Sequence, residues 1–457
     1  MPPPSSWQRR AKQSLPRFAR GTVKRRILEA SAALAVAAVV VKLGAVGKEM
    51  VVAWRFGTSS DLDAFSIALV IPFSLINIAA TPFQTAFIPA YVQVQQREGA
   101  AAAQQLFSSS LVWLLGVFAA VIGFMLLSGP FFLPLLASGF TPEKLRLTFQ
   151  LLCLVAPMVL LVGTSFLLAG VLNVKDQFAI TAFTPLITTG LTILLLILAQ
   201  GLGVYALALA VTGGAMLELM VLGIALRSQG VSVRPRRHAR SDQLGRIIKN
   251  SSSLLLGNLL MAGTQLIGIA VAARMVTGSL AALSYANKLT LLSAGLIASS
   301  FGTATISFFA KMSAQEDWQE LKNTLHHFLG LAFLITCPIT IVIMFFATPL
   351  TRLLFQRGAF GTTAVALVSD LIFYLALQIP FYVTNVLLAK IFLALQMPRV
   401  ILFGSAINLI VYAAVAYFLS AKIGLTGIAI ATSITYLSSF LVLYFFAHRK
   451  LSQLLAQ

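Results

Sequence analysis

The chain carries Phe83-Gln84-Thr85-Ala86-Phe87-Ile88 in its first half and repeats it as Phe301-Gly302-Thr303-Ala304-Thr305-Ile306 in its second. Further matched pairs follow in the same order and at a nearly constant offset: Leu167–Ala169 with Leu387–Ala389, and Gly203–Ala208 with Gly424–Ala429. Three ordered matches predict an internal duplication. In a membrane protein, duplication is typical of a transporter whose substrate path runs between the repeats.

The composition predicts that nearly all of the chain lies in a membrane. Of its 457 residues 58% are hydrophobic and only 10% are charged, and the mean hydropathy is +0.91. An apolar helix of about 20 residues crosses the bilayer, because a helix satisfies its own backbone hydrogen bonds there. The sequence predicts twelve such spans, near residues 28–56, 62–93, 105–128, 146–172, 178–200, 203–227, 244–273, 279–309, 322–347, 363–391, 399–421 and 424–447.

The only long linker separates six spans from six, so we expect an all-α, polytopic membrane protein with two six-helix lobes. Because six is even, both lobes enter the membrane in the same direction, and a pseudo-twofold axis should lie along the membrane normal. The predicted organisation is a basic disordered tail (1–27), an N-terminal lobe (28–227), a basic linker (228–243), a C-terminal lobe (244–448) and a short tail (449–457).

Basic residues predict the orientation. Lys and Arg concentrate in the N-terminal tail and in the loop Arg227–Lys249, and an excess of both marks cytoplasmic segments. We therefore expect both termini in the cytoplasm, with the tail close to anionic membrane lipids. The net charge of +20 then reflects topology, and no folded soluble face is available for nucleic acid.

Motifs for catalysis, metals or ATP are missing from the sequence. Cys153 and Cys337 stand alone inside predicted spans, which favours packing over disulfide or metal chemistry, and His326 and His327 begin a span at its edge. The sequence has no phosphate-cradling glycine loop and no nucleophile elbow. We therefore expect a transporter rather than an enzyme, with no cofactor, no metal and no catalytic residue.

Charged residues inside the spans are the candidate functional groups, because charge in the membrane is costly unless it faces a cavity or a partner. Lys42, Lys48 and Glu49 lie in the first span and Lys288 in the eighth. We expect the first and seventh spans, and the second and eighth, to face each other across the central cleft. One interpretation is an ion-pair network that only fixes packing. The other is a wet cavity where these lysines attract an anionic headgroup such as a phosphate.

Two further acids and two glycines leave their roles open. Glu218 and Asp370 are candidates for coupling a cation or proton, and equally for being buried, protonated or paired carboxyls. Gly44 and Gly47 in the first span offer either a bending point or close helix packing.

Several motifs resemble one family. The segment Lys42–Glu49, followed by Val52–Gly57 and Asp63-Ala64-Phe65, is similar to the first-helix signature of the MurJ (MviN) lipid II flippases, within the multidrug/oligosaccharidyl-lipid/polysaccharide exporter superfamily. Further agreement lies in Ala86–Pro89, in Leu172-Asn173 with Phe178, Ala182, Phe183 and Pro185, and in Leu354–Phe360.

The resemblance implies a flippase that moves a polyprenyl-pyrophosphate-linked glycan precursor, lipid II or a similar lipid, from the cytoplasmic to the periplasmic leaflet by alternating access. The family's cavity arginines fall on Lys42, Lys48 and Lys288, and its acidic neighbour falls on Glu49, so that charge is kept but bidentate phosphate recognition is lost. A second-helix arginine has no counterpart in Leu75-Ile76-Asn77. Lipid II flippases usually have two more helices than the twelve expected here. These differences leave room for another substrate, such as the repeat unit of a surface polysaccharide.

Two alternatives stay open. A cation-coupled multidrug antiporter of the same superfamily would place acids at the cavity, with Glu49, Glu218 and Asp370 as the candidates. A membrane scaffold would recruit a glycan-synthesis enzyme through the basic loop Arg227–Lys249.

Overall fold

The regular structure of the protein is helical throughout the described residues. A computed structural model describes residues 17–235 and 242–455, which form sixteen α-helices and a short 3₁₀ turn at Gln200–Leu202. The helices are α1 (Arg17–Phe56), α2 (Ser60–Arg97), α3 (Ala100–Leu136), α4 (Pro142–Val155), α5 (Pro157–Val174), α6 (Phe178–Phe183), α7 (Pro185–Leu198), α8 (Tyr205–Ser228), α9 (Asp242–Ala272), α10 (Ser279–Ala314), α11 (Trp318–Phe345), α12 (Ala347–Phe355), α13 (Thr362–Ala376), α14 (Ile379–Ala394), α15 (Pro398–Ile423) and α16 (Leu425–Leu455). The predicted all-α class is confirmed.

These helices combine into about twelve membrane spans, as the sequence predicts. Within the described residues, ten segments are long and apolar enough to cross a bilayer, and the bent pair α13–α14 makes an eleventh. The helix α1, which carries Lys42, Lys48 and Glu49 in its apolar part, completes the twelve. The short helix α12 lies between the ninth and tenth spans.

Breaks in the helices occur at equivalent places in the two halves. The fourth span divides between α4 and α5 at Pro157, whose ring removes a backbone donor and crowds the preceding turn. The tenth span bends by 43° between Ala376 and Ile379, next to Pro380. The repeat pairs Leu167 with Leu387, so the two breaks fall at matching positions and support the duplication.

Packing within each lobe also repeats. In the N-terminal lobe α1 packs on α7, α2 on α5, and α8 on both α5 and α7. In the C-terminal lobe the equivalent helices make the same pairs, with α9 on α15, α10 on α14, and α16 on both α14 and α15. The two lobes are therefore copies of one six-span arrangement.

Buried side chains show where the lobes join. We call the side of the molecule with the residue 229–242 connection the linker face. On the opposite face one core combines both lobes, with Phe65 and Leu151 from the first and Leu280 and Phe360 from the second. Toward the linker face the cores are separate, one in each lobe. A cleft between the lobes is thus closed at the opposite face and open toward the linker face.

The ends of the lobes differ from the expected boundaries. Helix α1 begins at Arg17, ahead of the expected start at residue 28, because the backbone continues as a helix out of the span. After α8, the linker residue Val231 and the α9 residue Ile247 pack into the core of the N-terminal lobe. The first part of α9 thus belongs by its contacts to the first lobe. Residues 1–16 of the expected tail and Arg236–Arg240 of the linker lie outside the described residues.

Candidate functional site

The center of the candidate site is a trio of charged side chains contributed by both lobes. Glu49 on α1 is buried, and its two carboxylate oxygens each hold one lysine: Oε1 lies 3.1 Å from Lys48 Nζ, and Oε2 accepts a 2.9 Å hydrogen bond from Lys288 Nζ on α10. The lysine side chains stay open, since 29% of Lys48 and 51% of Lys288 is exposed. A shared carboxylate thus holds two ammonium groups that other ligands can still reach.

Helix geometry explains why these residues meet. Lys48 lies eight positions before the end of α1 at Phe56, and Lys288 lies nine positions after the start of α10 at Ser279, which places both about 12–14 Å from the opposite face. An isolated charge at that depth is costly, and pairing across the lobes lowers the cost. Two positive charges and one negative charge leave the trio with a net positive charge.

Lys42 is a further basic residue of α1, on the linker-face side of the trio. It lies six residues before Lys48, about 9 Å nearer the linker face, and is partly exposed. Within the described ranges, 17–235 and 242–455, it has no carboxylate partner. The structure thus places all four predicted cavity residues on the facing helices α1 and α10.

The two other predicted acids do not join the trio. Glu218 lies half-buried on α8, and Asp370 lies exposed on α13 of the other lobe. The described part of the chain contains no group of three His, Cys, Asp or Glu side chains that could hold a metal ion. The role of Glu218 and Asp370 in ion coupling stays a prediction.

The glycines of α1 have different surroundings. A Cβ at Gly44 would lie 2.8 Å from Leu186 Cδ2 of α7, whereas a Cβ at Gly47 would meet nothing within 4 Å. Helix α1 runs through both without a break. Gly44 thus permits close helix packing, and Gly47 has no packing reason to be glycine.

This difference gives a test with a matched pair. Gly44→Ala should lower the stability of the protein by about 1 kcal/mol, because Leu186 must move, while Gly47→Ala should leave it unchanged or raise it by about 0.5–1 kcal/mol. Thermal unfolding of both variants in detergent measures the effect, alongside a transport assay. Loss of transport in Gly47→Ala without loss of stability would instead make Gly47 a required bending point.

Closure of the opposite face depends on a buried carboxylate that the sequence did not single out as functional. Asp63, in the first turn of α2, is only 2% exposed. Its oxygens accept hydrogen bonds from the backbone N–H groups of Gly278, at 2.6 Å, and Ala281, at 2.9 Å, at the start of α10. Lys144 Nζ lies 3.2 Å from the same carboxylate. A side chain of the first lobe therefore caps a helix of the second, where negative charge is favoured.

Further contacts between the lobes, from both backbone and side chains, complete this closure. The N–H of Ala359 donates a 2.9 Å hydrogen bond to the Trp54 carbonyl, and Arg274 Nε donates one of 3.0 Å to Ser138 Oγ. Gly278 has a φ of +90°, and any Cβ there would run into the carbonyl oxygen of Thr58. The lobes approach so closely here that only a residue without a side chain fits.

The two sides of the cleft are not equivalent. Helices α2 and α9 pack along each other, and Asn258 Nδ2 of α9 donates a 2.9 Å hydrogen bond to the Asn77 carbonyl of α2. The pseudo-twofold axis relates this pair to α10 and α1. Over the described parts of α1 and α10 no comparable packing exists, and Lys288 reaches Glu49 across the gap. The cleft therefore has its weakest wall between α1 and α10.

Comparison with known proteins identifies the family. The family model described as "Lipid II flippase MurJ" matches residues 52–457. The chain belongs to the MurJ family. A Synechocystis relative named "Probable lipid II flippase MurJ" is 26% identical over 453 residues, which cover 95% of this chain and 84% of the relative. Membership of the MurJ family, with the apolar helices, makes the chain a multi-pass protein of the bacterial inner membrane.

Solved structures agree on the fold. "Lipid II flippase MurJ, inward closed conformation" superposes with a TM-score of 0.78 at 20% identity, covering 90% of this chain and 86% of that one. A MATE multidrug resistance transporter of the MOP superfamily, in an inward-facing conformation, gives a TM-score of 0.75 at 15% identity, covering 93% of this chain and 99% of that one. At such identities the two likenesses establish a shared architecture, and the family model and the Synechocystis relative separate this chain from the drug transporters.

Asp63 shows what sequence reasoning missed in this MurJ-family chain. Asp63 belongs to the first-helix motif, but the motif assigns it no role. The signal in the sequence is an acidic residue in the first turn of an apolar span. Many helices carry an acidic residue there, because the helix dipole stabilises negative charge at the N-terminus, so the signal is not specific. Only the contact with the second lobe reveals its part in closing the cleft.

Proposed function

We propose that this protein flips lipid II, or a precursor with the same polyprenyl-pyrophosphate chemistry, from the cytoplasmic to the periplasmic leaflet for peptidoglycan or surface-polysaccharide synthesis. One observation carries the proposal: Lys48 and Lys288, from opposite lobes, share Glu49 and remain partly exposed. They lie in a cleft of a MurJ-family chain that is open only toward the linker face. Such a site can hold an anionic headgroup between two bodies that move relative to each other.

Charge supports a pyrophosphate ligand. Lys42, Lys48 and Lys288 carry three positive charges and Glu49 carries one negative charge, so the site has a net charge of about +2, which matches the two negative charges of a pyrophosphate diester. Phosphate oxygens can approach the exposed sides of Lys48 and Lys288 without displacing Glu49. The attraction is strong because a cleft between apolar helices screens charge less than bulk water.

Orientation follows from the basic residues. We place the linker face in the cytoplasm, since the loop Arg227–Lys249 and the N-terminal tail hold much of the positive charge of the chain. The structure then corresponds to the state that receives the substrate from the cytoplasmic leaflet. The headgroup enters the open cleft, and its isoprenoid tail stays in lipid beside the weak wall between α1 and α10.

Outward opening requires the contacts of the opposite face to separate. Gly278 and Ala281 move away with the second lobe, while Lys144 stays with Asp63 because both belong to the first lobe. The carboxylate thus keeps a counterion in both states, and the cap can form again when the lobes return. Rocking between these states would expose the lysine site to the periplasm.

Complementation tests the proposal. In a bacterial strain depleted of its own lipid II flippase, we expect this protein to restore growth and peptidoglycan synthesis. The variant Lys311→Ala, at the linker-face end of α10, is the matched control, and it should restore growth as the unmodified protein does. Failure of the unmodified protein at normal membrane levels would contradict lipid II as the substrate.

The same strain separates flippase from antiporter. The double variant Glu218→Gln/Asp370→Asn should still restore growth, because neither acid contacts the lysine site in the described residues. An antiporter would instead confer drug resistance on expression and lose it with these two changes.

A further inference from the structure

One face of α2 carries uncharged polar side chains that the lysine site does not use. We call Asn77, Thr81 and Thr85 the α2 polar stripe. Their spacing of four residues places them on neighbouring positions of one helix face. Asn77 and Thr85 are exposed, and Thr81 is half-buried. Asn77 Nδ2 donates a 3.0 Å hydrogen bond to the Phe73 carbonyl, and Thr85 Oγ1 donates one of 2.9 Å to the Thr81 carbonyl. Asn77 therefore still offers an amide N–H and its amide oxygen, and Thr85 an acceptor oxygen, away from the lobe core.

Neighbouring helices show that this stripe faces the cleft. The opposite side of α2, with Phe83 and Phe87, is buried in the core of the first lobe. Gln84 Nε2 donates a 2.6 Å hydrogen bond to the Phe166 carbonyl of α5, which marks one flank, and Asn258 marks the other flank at α9. Helices α3 and α9 pack on α2 and on each other, and so cover its outer side. The remaining exposed face lies between the lobes.

Depth relates the stripe to the lysine site. Asn77 lies 17 positions after the start of α2 at Ser60, or about 25 Å along the helix from the opposite face, and Thr85 lies about 12 Å further. The lysines Lys48 and Lys288 lie about 12–14 Å from that face. The stripe therefore begins about a dozen ångströms from the lysines and continues toward the open mouth of the cleft.

Chemistry decides what such a stripe can bind. Amide and hydroxyl groups donate and accept hydrogen bonds without charge, as the hydroxyl and acetamido groups of a sugar do. If the pyrophosphate sits at the lysines and its tail leaves between α1 and α10, the sugar it carries must extend toward the open mouth. We propose that the α2 polar stripe binds the uncharged glycan of the substrate headgroup. The inference rests on the proposed function, and it assigns glycan recognition to residues separate from those that bind phosphate.

Binding of two purified lipids to the full-length protein in nanodiscs tests the inference. One is polyprenyl pyrophosphate, and the other is lipid II, which adds a disaccharide and a peptide. The double variant Asn77→Leu/Thr85→Val should weaken binding of lipid II about 10-fold, through two lost hydrogen bonds, and leave binding of polyprenyl pyrophosphate unchanged. The packing of α2 on α9 should persist in this variant, because Asn258 donates its hydrogen bond to the backbone carbonyl of residue 77, which the substitution keeps. A third lipid, which carries the disaccharide without the peptide, should lose the same affinity as lipid II, and normal binding of that lipid would assign the stripe to the peptide instead.

Controls distinguish this inference from the proposed function. Thr336→Val, a buried threonine of α11, should bind both lipids normally, and Thr81→Val provides a second stripe variant if the double variant is unstable. Lys288→Ala should weaken the binding of both lipids. Stripe variants that bind lipid II as tightly as the unmodified protein, or lose both lipids equally, would overturn the glycan assignment alone. An unmodified protein that binds neither lipid would overturn the proposed function and this inference together.

Discussion

Replacing Lys288 by alanine should reduce flipping about 100-fold while the protein still reaches the membrane. Two losses combine in Lys288→Ala. The phosphate loses a charge-assisted contact worth about 1.5–3 kcal/mol, and Glu49 keeps only Lys48 as its counterion. The measurement is the rate at which a lipid-linked precursor becomes accessible on the far side of sealed vesicles containing the purified protein.

Two controls sharpen this experiment. Lys311→Ala makes the same change on the same helix, outside the cleft, and should flip at the normal rate. Lys288→Arg keeps the charge and adds a planar donor set that matches phosphate, so it should retain most activity. Normal flipping by both Lys288→Ala and Lys48→Ala would remove the lysines from the substrate site and leave them as packing residues.

Replacing Asp63 by asparagine should shift the protein away from the state in which the opposite face is closed. In Asp63→Asn the cap on α10 becomes neutral, and Lys144, whose side chain is only 11% exposed, loses its counterion. Loss of the Asp63–Lys144 pair affects both states, whereas loss of the charged cap on α10, typically worth about 1–2 kcal/mol, destabilises only the closed state and changes the ratio of the two states about 10-fold. Flipping should fall, because fewer molecules are ready to receive substrate from the linker face.

A cross-link across the closed face reports this shift. Ser138 and Arg274 are in contact across the lobes, so cysteines at both positions should cross-link efficiently when Cys153 and Cys337 are replaced by serine. The yield should drop in Asp63→Asn. Asp61→Asn, in the same helical turn but exposed, is the matched control and should cross-link fully. An unchanged yield in Asp63→Asn would show that the carboxylate does not hold the lobes together.

Much of the site could be read from helical spacing. Both lobes carry lysines inside their spans, so the sequence predicts that Lys48 and Lys288 converge on the central cleft. Glu49 as the shared partner was also within reach, because it neighbours Lys48. Which sides of Lys48 and Lys288 remain open depends on the packing of α1, and no local pattern contains that information.

The sequence by itself determined the membrane class, the helical fold, the duplication into two lobes and which charged residues lie inside the spans. It could do so because lipid cannot satisfy backbone polar groups and makes each buried charge conspicuous. The tertiary structure alone decided that the cores merge at one face, that Asp63 caps α10 across the lobes, and that α2 and α9 pack together while α1 and α10 stay apart. In each of these features, the contacts between the lobes depart from the pseudo-twofold symmetry. Both lobes have nearly the same pattern, so only the contacts between them can show where one differs from the other.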